Sequence, residues 1–305
     1  MNISAIGLGK LGLCSAACFA SKGHHVIGVD SNDRHVDALT RGECPIDETG
    51  LPDLLARCRR NMEFTADFGY AVQNSDITLI TVPTPSNPDG RFSNSYVEAV
   101  LSRLAPALRA KSTFHIVGVV STVMPGACER IFKPRLEMLT GKLCRRDFGL
   151  LYNPEFVALG SVIHDFLNPD MLLIGASDDR SAQAARELYS TVVESDPYYA
   201  LMSLTNAEIT KLSLNCYVTM KISFANELAA ICENISGADG SYALAGLTPG
   251  TVTIVQQIPA GWRPTSPPST SQTVLVRNGD AVSNLDFGNE RIKDSIIRGT
   301  VFADS

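Results

Sequence analysis

Asn2-Ile3-Ser4-Ala5-Ile6-Gly7-Leu8-Gly9-Lys10-Leu11-Gly12 is the stretch that decides the fold. Asn2–Ile6 is short and apolar, as a buried strand is. Lys10–Ser21 follows with Leu11, Ala16, Ala17 and Phe19 at helical spacing. Between them lies a Gly-x-Gly-x-x-Gly turn. Gly7 permits a tight turn, Gly9 lets backbone approach a pyrophosphate, and Gly12 lets helix and strand pack closely. The opening of the helix offers free N–H groups and a partial positive charge to phosphates. A second β-rich run, His25–Val29, ends at Asp30, 18 residues after Gly12. A carboxylate there accepts hydrogen bonds from both ribose hydroxyls and repels a 2′-phosphate, so the pattern points to NAD rather than NADP. The plainer reading is a glycine-rich turn with Asp30 as a helix cap.

Outward from this unit the chain alternates. Asp76–Val82, His115–Val120 and Met171–Ile174 read as strands. Ser95–Arg109, Pro125–Thr140 and Arg180–Val193 read as helices. Apolar strands alternating with helices predict an α/β, Rossmann-like, doubly wound parallel sheet covered on both faces. A long helical stretch, roughly Asn206 to Glu233, comes next and is followed by a β-rich tail. The expected organisation is a dinucleotide domain over 1–200, a central helix over 201–236 and a partial, Ig-like β-sandwich fragment over 239–305.

Composition sets outer bounds. The 305 residues allow about two domains, and 45% apolar with 19% charged residues suits a globular chain. A net charge of −6 gives no broad cationic surface and argues against nucleic acid. No run of about 18 uncharged apolar residues predicts a membrane span. Met1–Gly9 lacks a basic segment ahead of an apolar run, so a cytoplasmic location is expected. The eight cysteines contain no Cys-x-x-Cys pair, so no metal site is expected and each reads as a reduced, buried, small hydrophobe.

Three further constellations carry chemistry. Lys211 and Asn215 stand four residues apart on the long helix, on one face, where a cation beside a neutral donor can hold a developing oxyanion. Val120-Ser121-Thr122-Val123-Met124-Pro125-Gly126 closes a strand and turns into a helix. Asn153-Pro154-Glu155-Phe156 puts a carboxylate at the sheet's C-terminal edge, where open α/β sheets bind ligands. An exposed helix lysine and two capped turns are the structural alternatives.

Taken in order, Gly7–Gly12, Asp30, Val82-Pro83-Thr84-Pro85, Ser121–Gly126, Asn153–Phe156, Lys211-x-x-x-Asn215 and Ser223-Phe224-Ala225-Asn226-Glu227 resemble the UDP-glucose/GDP-mannose dehydrogenase family over about residues 1–238. The resemblance implies oxidation of a sugar 6-hydroxyl to a carboxylate with two NAD and one water. The substrate would be a nucleotide sugar, UDP-glucose being the family's commonest case, and a homodimer would form through the central helix. It implies that Lys211 and Asn215 hold charge on the substrate oxygen, that Glu155 is the general acid/base and that Thr122 positions a water. Gly7, Leu8, Gly9, Lys10, Leu11, Gly12, Asp30, Thr84, Ser121 and Thr122 would line the NAD site. His35 stands where a basic residue commonly meets the pyrophosphate. Leu159 replaces a frequent glutamate and Met171 a frequent arginine. The family's thiolate nucleophile lies in a Gly-x-Cys-Phe-Pro-like segment, and these 305 residues contain none. Cys216 and Cys232 read as helix-face residues that pack the core.

The tail reads differently. Ser241–Leu247, Thr251–Ile258, Gln272–Val276 and Ser283–Phe287 are strand candidates between turn signals. Asp239-Gly240-Ser241-Tyr242, Leu247-x-Pro249-Gly250-Thr251 and Asp286-Phe287-Gly288-Asn289 resemble the SdrD B-like (Cna-B-like) repeats of bacterial surface proteins, which makes the chain look chimeric. Two other functions therefore stay open: a surface or adhesion-type β-module fusion, and an NAD-binding protein without catalysis.

Overall fold

The computed structural model describes residues 1–235 and, beyond them, 244, 247–258, 262–267, 269–277, 282 and 285–291. Two compact units divide the chain, Met1–Ile222 and Ser223–Ser305.

The first unit is built on an eight-stranded sheet: β1 (Asn2–Ile6), β2 (His25–Val29), β3 (Met62–Thr65), β4 (Ile77–Ile80), β5 (His115–Val119), β6 (Phe148–Tyr152), β7 (Met171–Ala176) and β8 (Tyr198–Ser203). Their spatial order is β3-β2-β1-β4-β5-β6-β7-β8. The first six pair in parallel. Every residue of β4, β5 and β6 is buried, as expected of strands covered on both faces. One face carries α1 (Lys10–Ser21), α3 (Leu51–Cys58), α7 (Val162–Leu167) and α8 (Asp179–Ser190), whose apolar residues join one core. The other carries α4 (Phe68–Gln73), α5 (Ser95–Ala110) and α6 (Lys133–Thr140). A short helix, α2 (Asp33–Thr40), follows β2.

Two expectations change. The sheet is not wholly parallel, because β7 meets β6 antiparallel through Leu151–Ala176 and Tyr152–Gly175. The chain leaving β6 stays at the edge where that strand ends, so β7 re-enters reversed, and β8 then pairs parallel to β7. The helix expected over Pro125–Thr140 opens instead with a π-turn at Cys128–Phe132 before α6. Pro134 explains it: a proline has no N–H to give, and its ring crowds the carbonyl four residues back, which a wider turn relieves.

The long helix α9 runs Leu204–Ile235. Its start is core, with Leu204 and Ala207 fully buried, whereas Leu214, Tyr217, Val218, Met220 and Ile222 are exposed. Cys216 is exposed as well, which corrects the core-packing expectation: nothing in its unit covers that stretch of helix. The side chain of Cys232 lies outside the described residues. Among the described residues no helix is long and apolar enough to cross a membrane.

In the second unit β9 (Gly250–Val255) pairs antiparallel with β11 (Ser271–Val276), and β10 (Trp262–Ser266) with β12 (Gly288–Arg291). The runs at Thr251–Ile258 and Gln272–Val276 thus hold strands, while β10 and β12 were not expected. Residues 285–287 lie outside a strand, and Ser283 and most of Ser241–Leu247 lie outside the described residues.

Candidate active site

Strand β1 has β2 on one side and β4 on the other, so strand order reverses there. Such a point leaves a crevice beyond the strands' carboxyl ends. A cleft of about 650 Å³ opens at that place, lined by Gly7, Gly9, Lys10, Leu11 and Gly12 from the first turn, Asp30, Thr84, Ser121, Thr122 and Glu155.

The glycines build this mouth. Gly7 has φ of +92° and a side chain there would meet the Thr81 carbonyl oxygen at 2.2 Å. At Gly12 it would meet the Gly7 carbonyl oxygen at 1.9 Å. At Gly9 it would meet nothing within 4 Å, because that side faces the cleft. Helix α1 starts at Gly9 with no side-chain cap and no acidic residue in its first turn. Its first amides and its dipole are therefore left for an anion. Asp30 is fastened to the same turn: Leu8 N donates to its Oδ2 at 2.8 Å and Asn32 N to its Oδ1 at 2.9 Å. The Leu8 side chain is fully buried, so Leu8 acts through its amide. These features fit a dinucleotide, with diphosphate at the open helix end and a ribose at Asp30.

The opposite wall is stitched together. Ser121 Oγ donates to the Val82 carbonyl oxygen at 2.6 Å and accepts from Val82 N at 3.0 Å. Thr84 Oγ1 donates to the Thr122 carbonyl oxygen at 2.7 Å. These hydroxyls hold two loops at a fixed spacing. Lys10 reaches away from the helix end to Glu48, at 3.4 Å. The Glu48 carboxylate also accepts from Gly160 N at 3.1 Å and Val162 N at 3.2 Å. Burial raises the Glu48 carboxyl's pKa, but these two amides and Lys10 outweigh it and hold the group below the usual carboxylate range. Glu48 thus fixes the loop that follows Glu155.

Glu155 is the site's unusual group. Among the described residues its Oε2 is buried without a hydrogen-bond partner. Burial pushes its carboxyl up to about 8, against a Ser15 hydrogen bond and the charge of Lys211. A carboxyl poised there can both take and return a proton near neutral pH. Lys211 is buried, donates to the Glu155 carbonyl oxygen at 2.7 Å and lies 4.1 Å over the Phe156 ring. Burial lowers its ammonium pKa, opposed by Glu155. One turn earlier on α9, the fully buried Glu208 accepts from Gly126 N at 2.5 Å and Cys128 N at 2.7 Å. It pins the helix, and with it Lys211, to the turn carrying Thr122.

The structure therefore gathers the Gly7–Gly12 turn, Asp30, Thr84, Ser121, Thr122 and Glu155 around one cleft, with Lys211 behind Glu155. Asn215 is exposed, and His35 sits on α2 with its Nε2 buried and unpartnered; neither lines the cleft. Sequence reasoning missed Glu48 and Glu208, whose partners lie 112 and 82 residues away. It also missed Phe68, Tyr96, Val100 and Arg103 on the cleft wall. The spacing 96, 100, 103 along one helix face was the available signal. The buried thiols are inert: burial, Glu48 and Glu155 push Cys14 up to about 12.

Comparisons with known proteins agree with this geometry. Residues 1–193 match the model of the UDP-glucose/GDP-mannose dehydrogenase family, NAD binding domain, and residues 205–250 match that family's central domain. GDP-mannose 6-dehydrogenase of Pseudomonas syringae pv. syringae is 36% identical over 242 residues, 79% of this chain and 54% of that protein. UDP-glucose 6-dehydrogenase of Haloferax volcanii is 34% identical over 247 residues, 80% of this chain and 57% of that protein. The structure of a ternary complex of GDP-mannose dehydrogenase from Pseudomonas aeruginosa superposes with a TM-score of 0.74 at 35% identity, covering 77% of this chain and 54% of that one. The chain spans about half the length of the curated relatives it matches.

Proposed function

The chain belongs to the UDP-glucose/GDP-mannose dehydrogenase family, and from that premise we propose that it is the NAD-binding and proton-handling part of a nucleotide-sugar 6-dehydrogenase working in the cytoplasm. The observation that carries this reading is the open cleft at the sheet's reversal point, with an uncapped helix end and Asp30 fastened to the same turn. When bound, NAD supplies the hydride acceptor. The amides opening α1 hold its diphosphate, and Asp30 accepts from the adjoining ribose. Glu155 takes the proton from the sugar 6-hydroxyl, a task suited to a carboxyl raised to about 8. Lys211 supports the oxygen's charge, and Thr122 orients a water. Asn215 belongs to this constellation by family pattern and stands exposed on α9 in this chain. UDP-glucose, the commonest case of the family the sequence resembles, is the nucleotide sugar we propose as substrate. The exposed apolar run from Leu214 to Ile222 is the surface we assign to a homodimer. Residues 1–200, 201–236 and 239–305 are the domains we propose.

Calorimetric titration of the 305-residue chain tests the reading. NAD should bind and NADP should bind far more weakly. UDP-glucose with NAD should give no sustained NADH, since these residues hold no Gly-x-Cys-Phe-Pro thiol. Indifference to NAD would sink the proposal, and steady NADH release insensitive to thiol alkylation would sink the assigned chemistry.

A further inference from the structure

We propose that Arg103 is the purine-stacking residue of the cleft and so sets its preference for the nucleobase; this rests on the NAD reading above. Past Asp30 and Ser31 the cleft wall changes character. It is made by Phe68 at the start of α4 and by Tyr96, Val100 and Arg103 on α5. Phe68 and Val100 are nearly fully buried. A strongly hydrated phosphate gains nothing against such a wall, whereas a flat, weakly polar base removes apolar surface from water there.

Arg103 completes this end. Its Cζ lies 3.8 Å from the centroid of the Phe68 ring, the spacing of two stacked planes. Phe68 and Arg103 both line the cleft, so the stacked pair borders the space a ligand would fill. Among the described residues no carboxylate stands within ion-pair distance of Arg103, so the group is not held by a charge partner. A guanidinium is planar, delocalised and weakly hydrated, and stacks readily on aromatic rings. Phe68, Arg103 and a purine thus form three layers. Asp30 opposes the other use of a nearby arginine, capture of a 2′-phosphate, because its carboxylate would sit against that anion.

The test compares Arg103→Ala and Arg103→Lys with the unmodified chain, by calorimetry with NAD, AMP and nicotinamide mononucleotide. Both variants should weaken NAD and AMP by about tenfold, since lysine keeps the charge and loses the plane. The losses should be equal at roughly 50 and 300 mM salt, because stacking is little screened. Affinity for nicotinamide mononucleotide should not move. Unchanged AMP binding in Arg103→Ala would overturn the inference while leaving the NAD site standing. Full affinity in Arg103→Lys, or a loss that vanishes at high salt, would also overturn it by showing a charge contact instead. An unmodified chain that binds neither NAD nor AMP would remove the NAD reading itself.

Discussion

The two ends of the sheet bury ionisable groups in opposite ways. At the amino-terminal end of the strands Ser4, Ser75, Thr78 and His115 form a closed chain. Ser4 Oγ meets Thr78 Oγ1 at 2.6 Å, Ser75 Oγ donates to Ser4 Oγ at 3.0 Å, and Thr78 Oγ1 meets His115 Nε2 at 2.8 Å. Lys111 Nζ beside them donates to the carbonyl oxygens of Val72, at 2.6 Å, and Ser75. At the carboxyl-terminal end the amides opening α1 have no side-chain cap, and Glu155 Oε2 has no partner among the described residues. A buried polar group left unsatisfied costs stability, and a protein that saturates one end of a sheet shows that it can do so. The open end is therefore the place where a ligand's groups are expected to complete the bonding. Sites that do chemistry are drawn from such locally unfavourable arrangements.

Five changes probe that contrast. The largest effect belongs to Gly12→Ala, which drives a methyl into the Gly7 carbonyl oxygen. Titration should show NAD binding lost by at least roughly 100-fold, and denaturant unfolding a loss of about 2–3 kcal/mol. Full binding would break the link between the turn and the cofactor.

Glu155→Gln should stabilise the chain. A carboxyl whose pKa is raised from 4.5 to about 8 by folding gives stability that is complete below pH 4.5 and is lost as pH rises through about 8. The glutamine variant lacks that slope. Urea unfolding should find it more stable by a few kcal/mol at pH 8 and equal to the parent near pH 4. A destabilised variant at pH 8 would show that the open end is not an unfavourable one.

At the saturated end the sign reverses. Lys111→Met removes the ammonium donor to the Val72 and Ser75 carbonyls, leaving Ser75 only His115 Nδ1, and should cost about 2 kcal/mol at neutral pH. Burial and the Lys111 charge hold His115 down to about 3 from 6.5. A depressed folded pKa gives stability present above pH 6.5 and lost as pH falls towards 3. The parent should therefore weaken across that window, and His115→Gln should flatten the slope.

The smallest effect is that of Asp30→Asn. The amide oxygen still accepts from Leu8 N, so the turn persists, while the charge and the acceptor for Asn32 N are lost. NAD affinity should fall about tenfold, and the discrimination against NADP should narrow.

Much of the sheet was legible because its strands are local apolar runs. Asn2–Ile6, His25–Val29 and Lys10–Ser21 appear with the expected bounds. β3 (MEFT) and β8 (YYALMS) escaped notice because each lies on an edge, with mixed burial and no clean run. The turn at Gly7–Gly12 and its acid could be found because the residues that make the site are near in sequence. Glu48 and Glu208 could not, since a glutamate that caps amides 112 or 82 residues away leaves no local trace.

The sequence by itself determined the alternation of strands and helices, the glycine turn and the residue types at the strand ends, because period, turn chemistry and backbone freedom act over a few residues. Only the tertiary structure decided that β7 runs against β6, that Lys211 backs onto Glu155 while Asn215 faces outward, and that Arg103 lies on Phe68 at the cleft. It alone also raised Glu155 to about 8, because desolvation is a property of what surrounds a group after the chain has closed over it.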